Sequence, residues 1–127
     1  MKDTPLWTWH ITAGVVILVL LGMHMAVMHL DGVLHLSTTA PTGEGSPIDW
    51  VNVAARAREV GFVVFYVVLL GAALFHGLYG LRNILFELRL SDGAKSFVSV
   101  AIMIVGFGLF LLGTWAAIVA RSTALAA

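Results

Sequence analysis

Cysteine is absent from the 127 residues. That excludes any disulfide, and any iron–sulfur cluster held by cysteines of this chain. Charge is scarce as well: Asp, Glu, Lys and Arg make up 11% of the chain, against about 25% in a soluble domain. Seven basic and seven acidic residues cancel, so nothing points to nucleic acid or to a polybasic lipid-binding surface. Internal repeats are also lacking. The opening Met1-Lys2-Asp3 is only weakly basic. The apolar run behind it is longer than a signal-peptide core and carries no clear small-residue cleavage site, so the first helix is expected to be retained.

What is present is apolar. Hydrophobic residues reach 60% and gather in three charge-free runs, Trp7 to Leu30, Val60 to Leu81 and Ser96 to Ala120. Each meets the roughly 20 residues needed to cross a bilayer. Lipid offers the backbone no hydrogen-bond partners, so such runs must be helices. The expectation is an all-α integral membrane protein, one domain over 1–127, with transmembrane helices at about 7–30, 59–86 and 95–120. Trp7 and Trp9 suit the interface at the start of the first helix, and Trp115 lies near the far end of the third. The connection 31–48 is rich in Thr, Gly, Pro and Ser and reads as a loop. Ser46-Pro47 reads as a helix start, Asp49 to Glu59 as a short amphipathic stretch leading into the second helix, and Ser91-Asp92-Gly93 as a turn. With the N-terminus inside, Lys2, Arg82, Arg89 and Lys95 lie on the cytoplasmic side and Arg56, Arg58 and Arg121 outside. This weak bias favours a cytoplasmic N-terminus.

An ionisable side chain deep in such a helix is costly and needs a partner. Five histidines occur: His10, His24, His29, His35 and His76. For an imidazole in lipid the obvious partner is a metal centre such as haem iron; a hydrogen bond to a neighbouring helix is the plainer alternative. His76 precedes Arg82 by six residues, about 9 Å of helix. His24 is six residues from the opposite end of the first run. The first two helices are antiparallel, so His24 and His76 differ in depth by about 10 Å or more within a core of about 30 Å. One iron cannot take both. Either one of them binds haem, or there are two haems, one in each half of the membrane. The third helix has no histidine, so the second axial ligand is expected from another chain, with Met103 as an alternative. His29 lies five residues after His24, about 140° around the helix, so only one of the two faces a given iron. His10 and His35 are near helix ends and read as interfacial, with His10 within reach of a quinone or a haem propionate.

Arg82 suits a haem propionate or a quinone carbonyl, or simply a solvated helix end. Glu87 is eleven residues after His76, only about 20° away around the helix. A carboxylate there, at the membrane surface, suits proton delivery to a reduced quinone or mere solvation. Gly77 and Gly80 leave room beside the imidazole for a flat macrocycle or a close helix, and Gly106, Gly108 and Gly113 read as helix-packing positions.

The segment Phe75-His76-Gly77-Leu78-Tyr79-Gly80-Leu81-Arg82-Asn83-Ile84-Leu85-Phe86-Glu87 resembles the second-helix signature of the small membrane-anchor subunits of succinate dehydrogenase and fumarate reductase. That signature is a histidine, a glycine four residues on, an arginine two further, and an acid eleven from the histidine; here they are His76, Gly80, Arg82 and Glu87. Gly22-Met23-His24, with His29 following, is similar to the first helix of the anchor often called the D subunit. Two departures stand out: the acid is usually Asp, and a tyrosine that often follows it is here Leu88.

The resemblance implies half of a two-subunit anchor bundle in the inner (cytoplasmic) membrane. It implies a partner anchor, an iron–sulfur subunit and a flavoprotein subunit, one or two haems b shared with the partner anchor, and quinone as electron acceptor. His76 and His24 are then the metal ligands, with His10, His29, Arg82 and Glu87 near haem or quinone. Succinate oxidation itself falls to the flavoprotein, since this chain carries no flavin or dicarboxylate site. The alternatives are a haem-free structural anchor of the same complex, or a small cytochrome b of a fumarate reductase or another dehydrogenase.

Overall fold

A computed structural model describes residues 4–26 and 48–126; the statements below concern those residues. They form four helices, α1 (Thr4–Met25), α2 (Trp50–Arg58), α3 (Val60–Glu87) and α4 (Asp92–Ala126). Three of them, α1, α3 and α4, are long and apolar enough to cross a membrane. The chain is therefore all-α, as the charge-free runs require. The Ser46-Pro47 start and nearly all of the 31–48 connection lie outside the described residues.

Each boundary has a local cause. Pro5 sits in the first turn of α1, where its missing N–H costs nothing, so this helix begins three residues earlier than the apolar run. Glu59 breaks the backbone between α2 and α3 by taking an extended conformation, φ −79° and ψ 117°. Its N–H closes α2 on the Arg56 carbonyl, and its own carbonyl accepts from Phe62 and Val63 to open α3. The amphipathic stretch is thus a helix of its own. Ser91-Asp92-Gly93 is not a free turn. The Ser91 hydroxyl accepts the Ala94 N–H at 3.3 Å, and the Ser91 carbonyl takes the Lys95 N–H at 3.0 Å. Ser91 is an N-cap, and Asp92 follows in the first turn, where a carboxylate suits the helix dipole.

The helix α3 is the centre of the assembly. It packs on α1 and on α4, whereas α1 and α4 make no close backbone approach to each other. The arrangement is an open row rather than a closed bundle. In keeping with that, α3 has no buried residue, and large apolar side chains such as Leu18, Phe97, Ile104 and Phe107 face outward. Close approach of α3 and α4 uses missing side chains: a Cβ at Gly106 would run into Leu78 and one at Gly113 into Leu70. Gly108 differs from expectation and faces open space. The best-covered part of the chain lies where α2 meets α3 and the end of α4. Asn52, Ala54, Arg56 and Ala124 are buried, and Arg58 Nε donates to the Ala124 carbonyl at 2.7 Å. That docking explains why α4 stays helical six residues past the expected end at 120.

Candidate functional site

Two histidines meet across the α1–α3 contact. The rings of His10 and His76 stack with centroids 4.1 Å apart and planes 8° from parallel. His76 Nδ1 lies 3.0 Å from the backbone carbonyl oxygen of His10. A carbonyl only accepts, so Nδ1 carries the proton. Nε2 is then the nitrogen with the lone pair, and it has no hydrogen bond among the described residues. An imidazole whose Nδ1–H is held by a backbone carbonyl is how proteins fix the tautomer and ring plane of a metal-ligating histidine. The residues here therefore fit an axial ligand at His76.

His10 is half-buried and level with His76, because α1 runs antiparallel to α3. It is thus a second histidine of this same chain at the level of His76. It does not serve as the opposite ligand in this arrangement. Trans axial imidazoles point their nitrogens at each other across the metal, whereas rings stacked face to face in contact leave no space between them. His10 instead packs against Tyr79, with centroids 5.1 Å apart, and comes within 3.5 Å of where a Gly80 side chain would begin. Its Nδ1 is buried without a hydrogen-bond partner among the described residues. Of the two glycines expected to leave room by the imidazole, Gly80 makes space for the His10 ring and Gly77 faces open space.

Toward the end of α3, Arg82 is fixed on two sides. Its Nε donates to the Ser99 hydroxyl of α4 at 3.2 Å, and its guanidinium carbon lies 4.2 Å above the Phe86 ring. An arginine offers five N–H donors, so the terminal nitrogens remain for a carbonyl or carboxylate. Arg82 and Ser99 line a cleft of about 610 Å³, which is otherwise mostly apolar, with Leu6, Leu78 and Phe110 among its walls. Met103 lines the same cleft. A mostly apolar pocket with a few convergent polar groups is the usual form of a small-molecule site. Glu87 is the last residue of α3 and is exposed.

His24 lies at the other end of the α1–α3 contact. It meets the Tyr66 ring edge-on, with centroids 5.7 Å apart and planes at 78°. From the His10–His76 pair to the His24–Tyr66 pair is ten residues along α3 and fourteen along α1, or about 15–21 Å. The two sites are thus separate in depth, as antiparallel helices dictate. A smaller cavity of about 350 Å³ opens there, lined by His24, Glu59, Phe62 and Tyr66. His24 makes no hydrogen bond to any described residue. His29 and His35 lie outside the described residues.

Gly14 was not singled out by the sequence reading. It stands one turn after His10, and a Cβ there would lie 3.0 Å from His76 Cε1 and 3.2 Å from its Nδ1. The signal that finds it is depth matching. His10 is the histidine of α1 level with His76, and the small residue one turn further on is where a ring from α3 can enter.

The chain is 26% identical over 112 residues to a succinate dehydrogenase hydrophobic membrane anchor subunit of Thermoplasma acidophilum, a match spanning 87% of this chain and 81% of that protein. No family model matches the chain, and no solved structure does. That likeness and the three long apolar helices together support an integral membrane protein of the anchor type.

Proposed function

We propose that this chain is a membrane-anchor subunit of a succinate:quinone oxidoreductase, helping to bind haem b and quinone. On this reading it pairs with a second membrane anchor beneath an iron–sulfur subunit and a flavoprotein subunit. It sits in the cytoplasmic membrane with its N-terminus on the cytoplasmic side. The likeness to the Thermoplasma anchor supports the assignment to the complex. The single observation that carries the haem assignment is the His76 Nδ1–H held by the His10 carbonyl at 3.0 Å, which presents Nε2 as a ligand.

Haem, when bound, supplies a one-electron store on the route from the iron–sulfur subunit to quinone. The rest is the work of side chains in this chain. His76 would hold the haem through Nε2, and a second ligand would come from the partner anchor, since the His10 ring is stacked on that of His76. Arg82, steadied by Ser99 and Phe86, directs N–H donors at a quinone carbonyl, and the apolar walls of the cleft take the ring and tail. Glu87, on the His76 face of α3 and about 140° around the helix from Arg82, is exposed at the surface, where it exchanges protons with water and is not a wall of the cleft. His24 is the ligand of a second haem in the other half of the membrane, at a depth His76 cannot reach.

A reduced-minus-oxidised spectrum of the purified complex tests this reading. A b-type absorbance that loses one component in His76→Ala is the expected result. A complex with succinate:quinone activity and no b-type absorbance overturns the haem assignment and leaves a haem-free structural anchor.

A further inference from the structure

Haem ligation by His76 is the premise here, and the inference concerns what aims the ring. The carbonyl that receives the His76 Nδ1–H belongs to His10 and already serves the helix. In α1 it accepts the N–H of the residue four positions on, which is Gly14. A carbonyl oxygen has a second lone pair, so it can take another donor from the side. In a helix that side is normally covered by the side chain one turn further along, whose Cβ overlies the preceding turn. At position 14 nothing covers it. An ideal Cβ there would lie 3.0 Å and 3.2 Å from two atoms of the His76 ring, tighter than such contacts normally are. The close approach and the hydrogen bond therefore depend on the same missing side chain.

We infer that Gly14 is a positioning residue for the haem ligand: by leaving the His10 carbonyl bare, it lets α1 orient His76 and hold its Nδ1 proton. The device acts through the backbone of position 10, not through the His10 ring. A hydrogen bond to Nδ1 makes the other nitrogen a more basic ligand. Stronger donation favours the oxidised iron and lowers the reduction potential. The His10 ring adds a parallel face that limits ring rotation, and an aromatic side chain of similar outline can do the same.

The test uses the intact complex in detergent or membranes, with the midpoint potential and the low-spin EPR spectrum of the His76 haem as readouts. Gly14→Ala is expected to raise that potential and shift the EPR g-values. Gly14→Leu is expected to lose that haem while any centre at the His24 end keeps its potential. His10→Phe is expected to retain the haem and its potential within the scatter of the unmutated complex. Unchanged potential and EPR spectrum in a haem-loaded Gly14→Ala complex overturn the inference and leave the proposed function standing. Loss of the haem in His10→Phe overturns it too, because the His10 ring would then be what matters. Absence of b-type haem from the unmutated complex overturns the haem assignment and this inference with it. Where Gly14→Ala fails to assemble, pulsed EPR of the unmutated complex reads the exchangeable proton on the remote nitrogen of the axial imidazole. Coupling characteristic of a hydrogen-bonded N–H is expected, and a free N–H overturns the inference.

Discussion

The two ends of the α1–α3 contact each hold a histidine, and they are built differently. At one end His76 is fixed by a hydrogen bond to backbone at 3.0 Å and by a ring stacked on its face. At the other His24 has only the edge of Tyr66 and no hydrogen bond among the described residues. On the proposed reading, the first is a ligand oriented before any metal arrives. The second gains its orientation from what binds it or from another subunit. Orienting a ligand beforehand removes an entropy cost from binding, so the His76 end is expected to hold its group more tightly.

The largest test of that contrast is His76→Ala, which should abolish one b-type centre outright while the complex still assembles, as pyridine haemochrome and optical spectra of the purified complex will show. His24→Ala should remove only a second centre. An unchanged haem count in that variant would reduce the molecule to one haem, and the comparison to a ligand and a packing residue. If both centres are present, mild chaotrope or haem-competitor titration should strip the His24 centre first. Arg82→Gln comes next. It loses the donors proposed for the quinone together with the contact to Phe86. A hydrogen bond involving a charged group contributes about 1.5–3 kcal/mol, so the KM for quinone should rise by about tenfold or more while both haem spectra stay as they were. The smallest effect on activity belongs to Arg58→Ala, at the opposite end of α3 from His76. It removes the bond from a charged donor to the Ala124 carbonyl, worth about 1.5–3 kcal/mol, and should be visible as faster amide exchange over the last turns of α4 with the His76 haem and activity unchanged.

The elements were legible because lipid leaves the backbone no choice, and three uncharged runs of spanning length had to be helices. Their ends were less so. Ser91 as an N-cap and the continuation of α4 to Ala126 depend on a hydroxyl geometry and on the docking of α2, neither of which hydropathy records. The depth difference between His24 and His76 followed from antiparallel topology alone. The partner of His76 did not, although the same arithmetic applied to His10 would have found it. His10 stands three residues into its run, so the sequence places it near a helix end, and its pairing with His76 shows only when the two helices lie side by side. Gly14 escaped for another reason: its role lies in an absent side chain facing a carbonyl of its own helix, and no residue pattern announces that.

The hydrogen bonds from His76 to His10 and from Arg58 to Ala124 each join positions 66 residues apart, yet they become possible at different moments of synthesis. Chains fold from the N-terminus as they emerge. His76 can find the His10 carbonyl as soon as α3 has entered the membrane beside α1, with α4 still unmade. Arg58 must wait for Ala124, three residues from the end of the sequence. His76 is thus oriented while the chain is still growing, and α2 is fastened only once α4 has been made. Assembly of these helices then has a built-in order: a nascent chain stalled after α3 should already present an oriented His76, whereas the bond from Arg58 requires α4.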